Sequence, residues 1–268
     1  MTSSVQKLEK LPGTRPEGSQ NETEASARVQ QMFDSIAPRY DFLNHLLSFS
    51  LDRVWRRRTA KKFMHILSRP EARILDLCCG TGDLAFALDR ARISSIGKSQ
   101  HSRMEDREPL IGSDFVEKML ERAREKSTKH PYRTAFAAAD ALHVPFPDAT
   151  FDLVTTAFGF RNLANYEQGL REFARILKPG GELGILEFTE PGSGPFAGVF
   201  RFYFRHILPR IGGAVSGSSE AYAYLPSSVS KFPSPAALAA LIEKNGFRNV
   251  RIASWNFGSV ILHSAVRA

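Results

Sequence analysis

Short apolar runs alternate with helical patterns through most of the chain. The strand-like runs lie at 72–77, 109–114, 133–140, 151–158 and 182–188, and the helical patterns lie at 82–90, 115–128 and 165–177. This alternation predicts a parallel sheet with crossover helices on both of its faces. A further helix at 235–245 precedes two more runs, 247–255 and 259–268, which predict a closing hairpin. We therefore expect an α/β fold with a mostly parallel seven-stranded sheet and an antiparallel last strand.

Two segments ahead of the sheet and one inside it have a different character. Residues 1–24 are rich in Ser, Thr, Glu, Pro and Gly, which predicts a disordered tail. Residues 25–70 have apolar positions at helical spacing and predict a helical cap in front of the main domain, 71–268. The polar and basic segment 91–108 is interpreted as an insertion before the second strand.

Composition adds limits on class and compartment. The 268 residues, 43% of them hydrophobic, fit one sizeable domain with appendages. Two adjacent cysteines cannot form a disulfide framework, and the chain has neither a signal-peptide pattern nor an apolar stretch of membrane-spanning length, so we expect a cytoplasmic protein. The net charge of +8 suits anionic lipid or nucleic acid without deciding between them.

The stretch LDLCCGTGDLAF, residues 75–86, is the first strand–turn–helix unit. Gly80 and Gly82 allow a tight turn and a close approach to a ligand, and the helix start can face an anion. A dinucleotide motif would need a third glycine, which is absent after Gly82. Cys78 and Cys79 lack further ligands at metal-binding spacing, so we predict that they pack, and we predict no metal site.

Two further strand ends carry acidic residues. Asp114 ends the second strand, where a carboxylate can accept hydrogen bonds from both hydroxyls of a ribose. Asp140 and Ala141 follow the third strand, where a side chain and a backbone amide can bracket an adenine. The sequence thus predicts an adenosine-like ligand where these strand ends meet.

Three motifs point to a known family. They are YDFLNHLLSFSLDRVW at 40–55, FGFRN at 158–162 and RILKPGGELGILEFTEP at 175–191. On these motifs the chain resembles the ubiquinone/menaquinone biosynthesis C-methyltransferase family, a group of class I methyltransferases with a Rossmann-like fold. The resemblance extends over roughly residues 25–267, apart from 91–108.

The resemblance implies a cofactor and a set of site residues. The cofactor is S-adenosyl-L-methionine. The implied cofactor contacts are Asp76, Gly80, Thr81, Gly82, Asp114, Phe115, Asp140, Ala141 and Ala157. Ala157 stands where some relatives have a serine, so a hydroxyl bond is absent there. The implied substrate contacts are Arg161, Asn162, Tyr222 and Tyr224, the last two within a substrate lid at 192–233; Ala223 replaces an arginine that is usual between them.

Methylation of a ring carbon requires that the acceptor be made nucleophilic, which loss of a phenolic proton achieves. Arg161 is the candidate to stabilise the resulting phenolate, with a structural ion pair to Asp152 or Glu187 as the alternative. Tyr40 and His263 are the candidates for the base, and a core role for His263 stays open.

The resemblance implies methylation of a quinol ring; demethylmenaquinol is the preferred acceptor, with a methoxy-benzoquinol precursor of ubiquinone as the alternative, because the residues do not separate the two rings. An NAD-linked reductase or a nucleic-acid methyltransferase would need motifs that we do not find. The expected partners are a polyprenylated quinol and an anionic membrane surface met by the aromatic–basic stretch 196–211. No nucleic-acid partner is expected, and a homodimer is left open.

Overall fold

A seven-stranded sheet forms the centre of the molecule. The computed structural model describes residues 13–16, 18–96, 107–129, 133–191, 198, 202–207 and 219–268. The strands are β1 (Ile74–Leu77), β2 (Leu110–Asp114), β3 (Thr134–Ala138), β4 (Phe151–Ala157), β5 (Leu177–Phe188), β6 (Phe247–Trp255) and β7 (Val260–Arg267). Their spatial order is β3-β2-β1-β4-β5-β7-β6. Strands β1 to β5 pair in parallel, and β7 runs antiparallel to both β5 and β6. The predicted fold class is confirmed.

Helices precede the sheet and connect its strands. They are α1 (Glu22–Ile36), α2 (Tyr40–Leu47), α3 (Leu51–Lys62), α4 (Met64–Leu67), α5 (Asp83–Ile96), α6 (Glu117–Ser127), α7 (Tyr166–Ile176), α8 (Ser219–Lys231) and α9 (Pro235–Lys244). Three of them begin where a side-chain oxygen accepts a backbone N–H, namely at Asn21, Asn165 and Ser234. Such caps satisfy donors that the first turn leaves free, so local chemistry sets where these helices start.

The two faces of the sheet pack against different helices. Leu75 and Val154 lie in a buried cluster with residues of α7 and α9, whereas Ile74 and Leu153 pack with residues of α4 and α5. Because side chains alternate along a strand, Asp76 shares the α4–α5 face with Ile74. The strand order reverses between β1 and β4, and ligands of such sheets bind outside the carboxyl ends of the strands at that point.

The last residues of the predicted disordered tail are ordered, which corrects its boundary at residue 24. Helix α1 begins at Glu22, and Thr14 is buried. The Thr14 N–H donates to the Leu163 carbonyl (3.0 Å), and its hydroxyl hydrogen bonds with Tyr166. Residues 1–12 of the predicted tail lie outside the described residues.

Both ends of the predicted insertion at 91–108 belong to the core, which is a second correction. Arg92 is fully buried in α5, and its Nη1 donates to the Glu108 carbonyl (2.9 Å). Arg107 is also buried, with its Nη1 3.0 Å from a carboxylate oxygen of Asp89. Residues 97–106 lie outside the described residues. The division of the chain into cap, main domain and lid stays a prediction.

Candidate active site

The turn between β1 and α5 has left-handed backbone at three positions. Cys78, Gly80 and Gly82 have φ of 52°, 55° and 85°. A Cβ at Gly82 would lie 2.9 Å from the Phe86 ring, so glycine is required there for space as well as for conformation. A Cβ at Gly159 would lie 2.3 Å from the Cβ of Cys78. The turn therefore lies tight against the segment that follows β4.

A cleft of about 680 Å³, partly open to solvent, lies at the carboxyl ends of the strands. Of the residues predicted for the site, it is lined by Tyr40, Gly80, Asp114, Phe115, Asp140, Ala141, Ala157 and Asn162. Apolar walls with a few polar groups are typical of small-molecule sites. The structure thus brings the three predicted strand ends to one cleft, which we call the main lobe.

Asp114 is held in place by backbone amides. Its Oδ2 accepts the Gly80 N–H (2.8 Å) and its Oδ1 accepts the Val116 N–H (2.9 Å). Burial raises the pKa of this carboxyl to about 6, against the lowering effect of those bonds. The Phe115 N–H also acts on this carboxylate, and its two oxygens together keep acceptor capacity beyond these amide bonds. The geometry fits the predicted ribose contact.

Asp140 and Ala141 line the cleft just after β3. The Asp140 Oδ1 accepts the Leu142 N–H (2.9 Å), and its Oδ2 lies 3.6 Å from Nδ1 of the exposed His143. Ala141 is buried. The carboxylate therefore has one oxygen fixed by the backbone and the other available at the mouth of the cleft.

A smaller lobe of about 310 Å³ shares Tyr40, Cys78, Gly80 and Ala157 with the main lobe. Its remaining walls include Arg56, Asp76, Thr81 and Asp83. This second compartment adjoins the glycine turn and carries most of the charge around the site.

Asp76 is the most deeply buried acid of the small lobe. Its Oδ1 accepts the Thr155 hydroxyl (2.8 Å), and the Ala85 N–H lies near the carboxylate and lowers its pKa, but Oδ2 accepts no hydrogen bond of ordinary geometry within the described part of the chain. Burial raises the pKa of Asp76 to about 7. Because a buried polar atom without a partner is costly, this oxygen fits a ligand that brings a donor, such as an ammonium group. A cofactor with an α-amino group suits the site.

Polar bonds tie helix α2 to the glycine turn through Asp41 and Lys126. Lys126 lies 3.0 Å from Asp41 Oδ2, 3.1 Å from Thr81 Oγ1 and 2.5 Å from Asp83 Oδ1. The Thr81 hydroxyl also hydrogen bonds with Asp41. The predicted contact Thr81 is thus bonded within the protein, and Gly82 shapes the turn without lining either lobe.

The cysteines and the nearest group of potential metal ligands support no metal chemistry. Burial raises the pKa of the Cys78 and Cys79 thiols well above their ordinary value, so they stay protonated. In the part of the chain that the structure describes, one group has metal-like spacing: His45, Asp52 and Asp83. Arg56 already pairs with both carboxylates.

Arg161 lies on the short turn after β4, buried beside β5. Its backbone N–H donates to Glu187 Oε1 (3.0 Å) and its Nη1 to Oε2 (3.0 Å), and Nη1 also bonds the Phe158 carbonyl. Asp152, the other partner considered, instead pairs with Lys178 (2.7 Å). Arg161 lines neither lobe. The structural alternative, an ion pair with Glu187, is therefore present.

His263 does not reach the cleft, which corrects its place among the candidate bases. It lies buried on β7, and its Nε2–H donates to the Pro235 carbonyl (2.9 Å) at the start of α9. It lines neither lobe, and burial lowers its pKa. The core role that the sequence left open fits this position.

Tyr40 and two predicted substrate contacts lie at the cleft. Tyr40 lines both lobes, its hydroxyl bonds the Asn44 side chain, and burial raises its pKa. The Tyr224 hydroxyl donates to Asn162 Oδ1 (3.2 Å), which ties α8 to the cleft wall. Burial raises the pKa of Tyr224 to about 12. The Tyr222 side chain lies outside the described residues.

Several charged site residues were missed from the sequence. Arg56 and Asp83 line the small lobe, and Lys126 and Asp41 bond across the glycine turn. Arg56 stands in a run of three arginines after Trp55, a pattern that by itself suggests only an exposed basic helix. Its burial follows from the packing of α3 on α5.

The model of the ubiE/COQ5 methyltransferase family matches residues 21–267. A demethylmenaquinone methyltransferase of Deinococcus radiodurans is 49% identical over 86% of this chain and 88% of its own length. A demethylmenaquinone methyltransferase of Thermus thermophilus is 46% identical over 87% of this chain and 98% of its own length. A ubiquinone/menaquinone biosynthesis C-methyltransferase UbiE of Geobacter sulfurreducens is 42% identical over 90% of this chain and 89% of its own length.

Solved structures with the same fold are more distant in sequence. A SAM-dependent methyltransferase from Aquifex aeolicus matches with a TM-score of 0.53 and 18% identity over 78% of this chain and 89% of its own. The CurJ carbon methyltransferase matches with a TM-score of 0.59 and 14% identity over 92% of this chain and 68% of its own. At such identities the similarity concerns the fold alone.

Proposed function

The chain belongs to the ubiE/COQ5 methyltransferase family, and from that premise we propose that it transfers a methyl group from S-adenosylmethionine to a ring carbon of demethylmenaquinol. The acceptor is taken from the two relatives at 49% and 46% identity, each named demethylmenaquinone methyltransferase. The observation that carries the donor half is the two-lobed cleft, with Asp114 anchored in one lobe and the unpartnered Asp76 oxygen in the other.

The protein's part in the reaction is binding and alignment. S-adenosylmethionine, when bound, supplies a methyl group already activated by a cationic sulfur. Asp114 would accept hydrogen bonds from the ribose, Asp140 and Ala141 would flank the adenine, and Asp76 would accept from the amino group. Holding donor and acceptor in line accounts for much of the acceleration in such transfers.

The acceptor must lose a phenolic proton before its ring carbon is a good nucleophile. We propose Tyr40 as the residue at the reacting face, since it lines both lobes. Its raised pKa makes it a hydrogen-bond donor at neutral pH and not a base. Burial raises the pKa of Tyr40 and of Tyr224, and the positive charge of Arg161 offsets part of that rise, while its partner Glu187 opposes the offset at Tyr224. We propose that the same positive charge would favour a phenolate of the acceptor beside these residues.

The choice of acceptor is tested with purified protein. We expect the reduced naphthoquinol to be methylated, and the oxidised quinone to be inert because it has no phenolic proton. A methoxy-benzoquinol tested in parallel addresses the second function, which relatives named UbiE at 42% identity favour. Higher kcat/KM for the benzoquinol would reverse the assignment. Mass spectrometry of the quinone pool after gene deletion identifies the acceptor in the cell.

A membrane surface is the proposed location of the substrate, because a polyprenyl tail partitions into lipid. The stretch predicted for this contact, 196–211, is described only at 198 and 202–207. Within it Phe202 is 59% exposed, and the Tyr203 ring lies 6.1 Å from that of Phe49. No helix in the described ranges is long and apolar enough to span a bilayer.

Phe49 belongs to a larger exposed apolar group on α2, α3 and the turn between them, which we call the cap face. Its members are Phe42, Leu46, Phe49, Leu51 and Val54. Exposed apolar clusters of this kind mark interaction sites, and the basic residues Arg53 and Lys61 are exposed on the same helix α3. The cap face supports peripheral attachment to anionic lipid. The homodimer stays a prediction.

A further inference from the structure

The small lobe contains a buried cation and a buried acid. Arg56 and Asp76 both line it, and the side chain of Arg56 is 9% exposed. The proposed function uses Asp76 but gives Arg56 no role. A cavity lined by a guanidinium and by a carboxylate with an unpartnered oxygen is complementary to an α-amino acid group, which carries both opposite charges.

The guanidinium of Arg56 has donors to spare. Its ion pairs with Asp52 and Asp83 both run through Nη1, the latter at 3.5 Å. Among the described residues Nε and Nη2 take part in no ion pair or hydrogen bond that involves Arg56. The Arg56 Cζ also lies 5.8 Å from the centre of the Phe158 ring, which lines the main lobe. Arginine presents its donors as a planar fork that matches a carboxylate.

Both carboxylates beside Arg56 have other partners. Asp83 is paired with Lys126 (2.5 Å), and Asp52 accepts from the Ser48 hydroxyl and contacts His45 Nδ1, each at 2.8 Å. Arg56 is therefore not the sole counter-ion of either acid. Its positive charge is available to a third anion at the wall of the lobe.

We propose that Arg56 binds the α-carboxylate of the methionyl half of S-adenosylmethionine, opposite Asp76, which takes the α-ammonium. The inference rests on the proposed function for the identity of the ligand. It makes an arginine of the cap a specificity residue for the amino acid portion of the cofactor, so that the cap helix α3 completes the cofactor site.

Calorimetry tests this with two ligands, S-adenosylhomocysteine and its decarboxylated analogue. Removing the ligand carboxylate should weaken binding to the wild type by about 10- to 100-fold, the range for a hydrogen bond between charged groups. Arg56→Gln should weaken S-adenosylhomocysteine by a similar factor and leave the analogue unchanged or slightly tighter. Arg57→Gln, at the adjacent exposed position, should change neither affinity.

Arg56→Lys keeps a positive charge beside Asp52, so it provides a second test if the glutamine variant does not fold. It should recover only part of the affinity for S-adenosylhomocysteine, because lysine has no fork. If Arg56→Gln or Arg56→Lys weakens both ligands equally, or neither, Arg56 is structural and the inference fails. If wild type binds neither ligand, the proposed function fails instead.

Discussion

Arg161 and Glu187 form an ion pair that is almost wholly withdrawn from solvent, with side-chain exposures of 6% and 1%. Removing one member of such a pair leaves an uncompensated buried charge, which costs about 3–5 kcal/mol of unfolding free energy. Arg161→Ala is therefore expected to lower the free energy of unfolding by about that amount, measured in urea. The double variant Arg161→Met, Glu187→Leu should restore most of it. Unchanged stability with lost turnover would instead assign Arg161 to catalysis.

Asp76 gives the ligand-free protein a pH dependence whose sign follows from its pKa. The folded-state pKa of about 7 lies above the ordinary value of 3.8, as does that of Asp114 at about 6. Between pH 4 and 7 the folded state therefore holds more protons than the unfolded state, and its stability falls as pH rises through that window.

Asp76→Asn removes this part of the pH dependence. We expect the variant to raise the Tm of the ligand-free protein at pH 8 and to leave it nearly unchanged at pH 4, where the wild-type carboxyl is largely protonated. It should also weaken S-adenosylhomocysteine, because an amide cannot pair with an ammonium group. Thermal unfolding at both pH values, with and without ligand, measures both effects. Equal Tm shifts at the two pH values would contradict the assignment.

At the scale of elements, the centre of the sheet could be predicted because strands such as β1 and β4 are buried on both faces and appear as continuous apolar runs. The edge strands β3 and β6 are largely half-buried or exposed. In the structure, α7 and α9 begin directly after Asn165 and Ser234, whose side chains cap their first turns. Strand β5 begins at Leu177, five residues before the predicted run, because Leu177 pairs with Phe151 across an irregularity in register. The hydrophobic pattern does not contain that pairing.

The sequence did not predict which charged side chains are buried, because their hydrogen-bond and ion-pair partners lie far away along the chain. The segment 91–108 is polar, yet Arg92 and Arg107 are buried because carbonyls and Asp89 surround them. Arg161 pairs with Glu187, 26 positions away on β5, one of the two partners that the sequence left open, and Arg56 pairs with Asp83 on another helix. Hydropathy treats all four arginines as surface residues. The strand-end acids Asp114 and Asp140 were predictable, because parallel strands bring their carboxyl ends to one edge.

The corrected boundaries of the predicted insertion give a test at the level of the element. Replacing 97–106 with a shorter Gly-Ser linker should leave the urea midpoint and S-adenosylhomocysteine affinity close to wild type, since the residues replaced are polar. Arg107→Ala should lower the free energy of unfolding by up to about 3–5 kcal/mol, because the buried Asp89 would lose its ion-pair partner and keep only the charges of Arg92 and Arg133 and the Arg133 N–H bond. If the linker variant does not fold, or if Arg107→Ala is as stable as the wild type, then the boundary between the replaceable residues 97–106 and the core residues on either side is wrong.

At the scale of the whole molecule, the cap serves two proposed purposes at once. It supplies Tyr40 and Arg56 to the cleft, and it also presents the exposed apolar cap face, on which Phe49 contacts Tyr203. A hydrophobic substrate and a water-soluble methyl donor need such an arrangement, because one arrives from lipid and the other from solution. The net charge of +8, which alone decided nothing, now favours an anionic surface as the partner of that face.

Peripheral attachment is expected to combine apolar insertion with charge attraction. The wild type should co-sediment with vesicles that contain anionic lipid, less with neutral vesicles, and less again as salt is raised. Replacing Phe42 and Phe49, which are 61% and 77% exposed, with serine should release the protein from anionic vesicles while leaving turnover of a short-chain soluble quinol unchanged. Ile252→Ser, which removes an exposed apolar residue from β6, is the matched control and should bind like the wild type. If the wild type and the Phe42, Phe49 variant pellet equally, the cap face is not the membrane contact. If only the Ile252→Ser control loses pelleting, the contact lies on β6 instead.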